Sequence, residues 1–270
     1  MKAKTKILVL AGLLLATLQT TTVVGQATSV IGVTPLPSKS QKGIFHGYFN
    51  LQMQPTQVED LTFRVVNESN HEVTVDVYTD TAKTNKQMQV DYGNSTLRST
   101  DNLPVKMDDK TIRGPRVIVL PPKSKKDIKY QLQMPKKSFE GIVSGGFTFA
   151  ERTDGKDKQE KDANSPTVLN KYSYVVGFVV SEKDKPSKPQ LTLDKVALAQ
   201  WNKRNALKTT LSARGGDFIK GIDAQVVVIN KETKKTVLDV EEKDHNIAPY
   251  SLFDWVVPLG DQKNGTRAHI

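Results

Sequence analysis

Between Tyr48 and Tyr92 the chain alternates apolar and polar positions with a period of two. Leu61, Phe63 and Val65 alternate with Thr62, Arg64 and Val66, and Val73, Val75 and Val77 alternate with Thr74, Asp76 and Tyr78. That period puts each apolar trio on one face of a strand. Asn67-Glu68-Ser69-Asn70-His71 lies between the trios, and Asn and Ser favour turns because their side chains bond the nearby backbone. The segment therefore predicts a β-hairpin with one buried face, preceded by a strand that ends near Met53. Pro55 cannot donate to a ladder and marks the turn between them. Three successive strands with one apolar face are how an antiparallel sandwich begins.

The alternation continues downstream. Val117-Ile118-Val119-Leu120 reads as a short buried strand ended by Pro121-Pro122. Ile128, Tyr130, Leu132 and Met134 alternate with Lys129, Gln131 and Gln133 until Pro135. A further strand follows Phe139; its Gly141, Gly145 and Gly146 do not form Gly-x-Gly-x-x-Gly and no helix follows, which disfavours a phosphate loop. Glycine inside a strand instead marks a bulge or the close approach of another backbone. Tyr172 to Val180 is apolar on both faces and reads as a central strand. Two stretches break the pattern. Gly93 to Gly114 is a long polar connection, and connections of that length are often functional, which makes it a candidate ligand loop. Glu151 to Asp162 has almost no apolar residue and cannot enter a core, so it reads as a hairpin tip or loop.

Glu182 to Pro189 is polar, contains two prolines and suits a short stiff linker at a domain boundary. Beyond it Leu191, Leu193, Val196 and Leu198 open a strand, Trp201 to Asn205 is a turn, and Ala206–Leu211, Ala224–Ile229, Thr236–Leu238 and Trp255–Val257 supply further strands. Short strands with polar turns at this spacing suggest a second sandwich. The expected fold is all-β: two tandem immunoglobulin-like β-sandwich domains, residues 28–182 and 190–270, joined by 183–189.

The first residues are different. Lys2, Lys4 and Lys6 precede an apolar run from Ile7 to Leu18, and small residues follow at Gly25 and Ala27. This reads as a signal peptide over 1–27; the run is shorter than the ~20 residues a membrane span needs. Removing its three lysines lowers the net charge from +10 to +7. A basic excess fits a polyanionic surface such as a cell wall. The absence of cysteine leaves an exported chain to its core alone for stability.

Several of these runs, taken together, resemble the WxL-interacting proteins of Gram-positive cell surfaces. In the first half they are the strand leading to Asn67-Glu68-Ser69-Asn70, Ala82-Lys83-Thr84-Asn85, Asp91-Tyr92, Leu120-Pro121-Pro122-Lys123-Ser124, Met134-Pro135, Phe139-Glu140-Gly141 and Gly145-Gly146. In the second half they are Pro189-Gln190-Leu191, the Asn202 and Asn205 turn, and Ile247-Ala248-Pro249-Tyr250-Ser251. The resemblance covers nearly all of the chain after the signal. It implies a peptidoglycan-binding domain followed by a host-binding domain, with peptidoglycan or wall polymers, WxL-domain surface proteins and host extracellular-matrix proteins as partners. It also implies a last strand, a membrane helix and a basic tail beyond Gly265-Thr266. Here Arg267-Ala268-His269-Ile270 follows. The expectation is therefore a C-terminally truncated member, its second sandwich incomplete and Phe253, Trp255 and Val257 uncovered, with the protein on the cell surface or secreted.

Motifs for chemistry are missing. His46, His71, His245 and His269 are not at metal-ligand spacing and there is no His-Glu-x-x-His, Gly-x-Ser-x-Gly or calcium-loop pattern. No catalytic residue, metal ligand or cofactor is expected, nor a nucleic-acid partner. Asp108-Asp109 and Asp154 with Asp157 are loop carboxylates. They keep a wall-glycan hydrolase as an alternative, and an exported strand-donating chaperone is another. The candidate contacts with wall polyanion are Lys123, Lys125, Lys126, Lys136 and Lys137, which flank one strand.

Overall fold

The computed structural model describes residues 30–93, 96–152, 172–184 and 188–259. The signal segment, most of the charged insert, three residues of the linker and residues 260–270 lie outside them. Every element among the described residues is a strand. In the first half these are β1 (Ile31–Leu36), β2 (Phe49–Gln52), β3 (Val58–Asn67), β4 (Val73–Thr81), β5 (Lys83–Thr84), β6 (Val90–Asp91), β7 (Arg98–Ser99), β8 (Ile112–Arg113), β9 (Val117–Leu120), β10 (Lys125–Gln133), β11 (Ile142–Glu151) and β12 (Ser173–Ser181). The second half has β13 (Leu191–Trp201), β14 (Arg204–Ala213), β15 (Ile219–Ile229), β16 (Thr236–Ile247) and β17 (Ser251–Pro258).

The first sandwich packs a sheet of order β1-β3-β10-β8 against one of order β2-β12-β11-β4-β9. Pairing is antiparallel except where β2 joins β12. The apolar trios behave as their period requires: Leu61, Phe63 and Val65 on β3 and Val73, Val75 and Val77 on β4 are all buried. The expected hairpin between them does not form. β3 pairs with β1 and β10, and β4 pairs with β11 and β9. The two trios face each other across the core instead of lying side by side. The bend is tied by Asn67, fully buried, whose amide donates to the carbonyls of His71, Leu120 and Pro121 at 2.8, 3.1 and 3.0 Å. The Ser69 N–H returns a bond to the Asn67 side chain at 2.9 Å. β9 is a strand, but Val117 and Val119 turn outward and are exposed. β12 lies between β2 and β11, with Val175 exposed.

The core is aromatic at its centre. The Phe63 ring lies 5.4 Å from Phe49, 5.8 Å from Tyr130, 4.6 Å from Phe147 and 5.0 Å from Phe149. The Tyr130 hydroxyl donates to the Pro115 carbonyl at 2.8 Å, and burial holds its ionisation well above the usual phenol range. Because the folded pKa exceeds the unfolded one, that stability is whole below about pH 10 and is lost as pH rises above it. Tyr130→Phe is therefore expected to cost about 1 kcal/mol at neutral pH, from the lost hydrogen bond, yet to flatten the decline above pH 10. Urea titrations at pH 8, 10 and 11 check this; parallel declines for both proteins would exclude Tyr130 as a source of the alkaline loss.

The glycines of β11 mark close approach, with no bulge, since the pairing with β12 runs unbroken through Gly145 and Gly146. Gly146 pairs with Gly177, and Tyr92 lies over both: a Cβ at Gly146 would sit 2.6 Å from the Tyr92 Cβ and one at Gly177 3.3 Å from its ring. Burial against this flat patch raises the Tyr92 pKa, helped by the neighbouring Tyr48.

The second sandwich sets a four-stranded sheet, β13-β14-β17-β7, against the two-stranded β15-β16. Asn202 and Lys203 both have positive φ (49° and 63°), the geometry of a tight hairpin turn, and join β13 to β14. Phe253, Trp255 and Val257 are buried with Leu207, Ala213, Val226 and Ile247, contrary to the expectation that they lie uncovered. The bare residues are on β13: Leu191, Leu193, Val196 and Leu198 are 39, 57, 50 and 55% exposed. They pair with Ala213, Leu211, Thr209 and Leu207 and share the inward face of the sheet, a bulge after Leu193 keeping Val196 in line. A two-stranded sheet does not reach across a four-stranded one, so among the described residues nothing lies opposite the β13 edge.

The long connection after Gly93 is not wholly a loop. β7 adds to the free edge of β17, so the first half supplies the fourth strand of the second sheet. Met88 enters the second core, and Tyr250 enters the first. Backbone bonds run across as well: Ile142 N–H to the Gly216 carbonyl at 3.0 Å, Asn246 N–H to Met88 at 3.0 Å and Thr100 N–H to Tyr250 at 2.8 Å.

Candidate functional site

The crossing segment 96–111 is held from both sides. β7 ties it to β17, and the Asp101 carboxylate accepts from Arg214 at 2.8 Å. Met107 is fully buried, and its N–H donates to Thr81 Oγ1 at 2.9 Å. The Asp108 carbonyl closes a turn by accepting from the N–H groups of Thr111 and Ile112. Two neighbouring clefts, each about 500 Å³, open along this segment and share Asp101 and Leu103.

One cleft lies against the end of β4. Asp80, Lys83, Ser99, Thr100, Lys106 and Asp108 give it polar walls. Asp80 Oδ1 accepts from the Thr81 N–H and from Lys83 Nζ, both at 2.7 Å. Asp80 Oδ2 is buried and has no partner. Lys106 is exposed and carries no ion pair among the described residues. The second cleft includes Lys137, Ser138, Phe139, Glu140 and Tyr250. Glu182 braces its floor, accepting from the Ser138 hydroxyl and from the Phe139 N–H. The Tyr250 hydroxyl donates to the Glu140 carbonyl at 3.0 Å; burial, and then the Glu140 charge, raise its pKa.

The five lysines singled out in the sequence are all exposed but do not form one patch. Lys123, Lys125 and Lys126 stand at one end of β10 and Lys136 and Lys137 beyond the other, roughly 30 Å away at the rise of a strand. Lys123 Nζ donates to the Glu68 carbonyl at 2.6 Å and Lys126 Nζ to that of Val119 at 2.7 Å, while Lys137 lines the second cleft. The candidate ligand loop does supply Asp101, Leu103, Lys106 and Asp108 to the clefts. Asp80 and Lys83 escaped the sequence reading as site residues; their only signal was a carboxylate and a lysine near a strand end, of which Lys83 alone lies in a run that carries the family resemblance. Among the described residues no three His, Asp or Glu side chains group as metal ligands, and no helix is long and apolar enough to cross a membrane.

No curated protein matches the chain. Among solved structures, a chaperone–tip adhesin complex of CFA/I fimbriae shares 13% identity over 88% of this chain and 91% of its own, with a TM-score of 0.38. The CsuC–CsuE chaperone–tip adhesion subunit pre-assembly complex of Acinetobacter baumannii shares 11% over 81% and 87%, with a TM-score of 0.37. Likeness at that level carries no argument about function. The sequence models are more telling. The peptidoglycan-binding domain of the WxL-interacting proteins matches residues 32–151, and their host-binding domain matches residues 163–266. The two matches stand in the family's order and together take in most of the chain, which belongs to the WxL-interacting protein family.

Proposed function

We propose that this is a non-catalytic cell-surface protein: its first sandwich holds peptidoglycan or wall polymer, and its second holds a protein, a WxL-type surface protein or a host matrix protein. The division into a wall-facing unit over 28–182 and a protein-facing unit from 190 onward is part of the proposal. The observation that carries it is the pair of polar clefts lined mainly by the matched peptidoglycan-binding segment, with Gly215 and Tyr250 closing the second, and built by a loop that both sandwiches hold in place. The aliphatic row on β13 supports a protein partner for the second sandwich, because soluble surfaces seldom leave a contiguous apolar row bare.

Purified cell walls should pull down the full chain, and less of it as salt rises, since exposed charge is screened over ~8 Å at physiological ionic strength. Because the lysines lie at two ends, they are tested as two sets. Lys136→Gln with Lys137→Gln, beside the second cleft, is expected to weaken sedimentation several-fold, and the triple change at Lys123, Lys125 and Lys126 to leave it nearly intact. Equal losses from both sets would assign wall binding to diffuse charge. Leu193→Ser with Leu198→Ser should leave the melting temperature within a few degrees, both side chains being more than half exposed, and should abolish capture of a WxL-type surface protein; capture that survives would move the partner off β13.

The carboxylates gathered in one cleft favour a second reading, a wall-glycan hydrolase. Asp80 and Asp101 are each ion-paired, to Lys83 and to Arg214, an arrangement suited to accepting hydrogen bonds. Release of soluble sugar reducing ends from purified walls, abolished by Asp80→Asn, would establish that reading over the first.

A further inference from the structure

β13 is the outer strand of the larger sheet in the second sandwich. It is 11 residues long, and it pairs with β14 on one side and with nothing among the described residues on the other. A long edge strand with aliphatic side chains is a template for another strand, and proteins blunt such edges with charges and bulges. β13 has both at one point. Its pairing slips between Leu193 and Lys195, so that Asp194 and Lys195 together oppose Thr210. Both side chains stand on the face away from the core. Asp194 accepts from the Ser212 hydroxyl at 3.1 Å and Lys195 pairs with Thr210, while Leu211 and Ala213, which alternate with Thr210 and Ser212, pack in the second core. Asp194 and Lys195 are exposed, and Lys195 has no ion pair among the described residues.

Chemically the sequence is symmetric about this point. In one direction it runs Asp194, Leu193, Thr192, Leu191, and in the other Lys195, Val196, Ala197, Leu198. Antiparallel pairing with the same strand of a second copy, on a two-fold axis between Asp194 and Lys195, sets Leu191 opposite Leu198 and Leu193 opposite Val196. It also sets each Asp194 opposite the Lys195 of the other copy. Aliphatic pairs and opposite charges directly across a ladder are the favourable ones. A register two residues away in either direction puts Leu193 opposite Asp194 or Val196 opposite Lys195, so the match is confined to one register. A strand without the bulge falls out of step on one side of it, whereas a second copy carries the same bulge at the axis. Self-complementarity of this kind is what a two-fold interface requires. We propose that β13 pairs with the β13 of a second copy and so joins two four-stranded sheets into one. This goes beyond the protein-binding reading and does not depend on it. The pairing uses the edge of β13. The core-side face of the aliphatic row stays open and is doubled in width, so a protein partner would meet Leu191, Leu193, Val196 and Leu198 from both copies.

Sedimentation velocity of the full chain over a range of concentrations tests this. The stretch from Leu191 to Leu198 makes a small interface, so dimers are expected at tens of micromolar. Lys195→Asp and Asp194→Lys each set like charges opposite one another and are expected to weaken association at least tenfold. An equimolar mixture of the two variants sets acids opposite lysines again and is expected to restore it. Melting curves accompany both variants; if Asp194→Lys loses its fold with the Ser212 bond, Lys195→Asp and the cross-link below decide. The register is read separately by cross-linking, since the chain has no cysteine of its own. Leu193→Cys and Val196→Cys, at positions 57 and 50% exposed, should give a disulfide-linked dimer under mild oxidation when mixed and little when alone. A chain that stays monomeric throughout, or that dimerises equally well with Lys195→Asp, would overturn the proposal. So would charge variants that, both folded, associate no better mixed than alone, or cysteine variants that cross-link no better mixed than alone. None of these measurements contains a WxL-type protein, so the protein-binding reading stands or falls by its own capture experiment.

Discussion

Phe63→Ala is expected to destabilise the first sandwich by about 3–5 kcal/mol. The ring is fully buried and lies within 6 Å of four others, from strands of both sheets. Its loss removes the transfer free energy of a large aromatic side chain and leaves a cavity. The neighbours that would have to close it are locked in place: Tyr130 is tied by its hydroxyl to Pro115, and Phe147 and Phe149 sit on one strand paired on both sides. Edge-to-face contacts add to the loss beyond area alone. Domains of this size have only about 5–15 kcal/mol in hand, so the variant should unfold at a much lower urea concentration and fail to sediment with walls. A shift of less than ~1 kcal/mol would mean that the aromatic cluster repacks, and that Phe63 is not its keystone.

Gly145→Val should be nearly as damaging, by about 2–3 kcal/mol or more, although valine is the better strand former. A Cβ at Gly145 would lie 2.5 Å from Phe178 Cζ, 2.8 Å from the Asp80 carbonyl and 2.9 Å from Met107 Cβ. Phe178 and Met107 are both fully buried and have nowhere to swing, and the Asp80 contact is backbone. The gain from replacing glycine in a strand is under ~1 kcal/mol and does not offset a clash on three sides. The damage also reaches the cleft at the end of β4, because Asp80 lines it and Met107 lies between its wall residues Lys106 and Asp108. Stability to chemical denaturation and sedimentation with cell walls should therefore be lost together. Gly32→Val provides the contrast: its Cβ would meet only Val66, at an ordinary 3.9 Å. Similar losses at both positions would show that any side chain on these strands is disruptive, and that the close packing at Gly145 is irrelevant.

These particulars show where reading the chain succeeds and where it stops. Period two identified the buried residues of β3, β4 and β10 because a side chain's face depends on its own strand. It did not identify partners: β3 and β4 look like a hairpin, and only Asn67, reaching the Leu120 and Pro121 carbonyls from far along the chain, turns the bend into a crossing between sheets. The same limit explains β13. Its aliphatic residues point inward as their spacing requires, but burial depends on the width of the facing sheet, which no local pattern encodes. The glycines of β11 were readable as places of close approach, though not that Tyr92 and Phe178 are what approaches. β7, two residues long, has no periodicity to read. Asp80 meets the residues from Ser99 to Asp108 only in the folded chain, where they line one cleft.

The pairing of β7 with β17 has a consequence for how the protein is made. Ser99 leaves the ribosome long before Ser251, its partner in the ladder, and domains generally fold as they emerge, from the N-terminus onward. The first sandwich can close its two sheets as soon as β12 is out, while Arg98 and Ser99 wait on its flank with their edge unpaired. Tyr250, which lies in the first core, arrives equally late. Completion of the first sandwich is thus timed by the segment around β17, the last strand among the described residues, a long-range contact of the kind that slows folding. A fragment starting at Leu191 would begin life without its fourth strand, and one ending at Ser181 would leave the place of Tyr250 empty, so neither half is a free-standing copy of what it is in the whole chain.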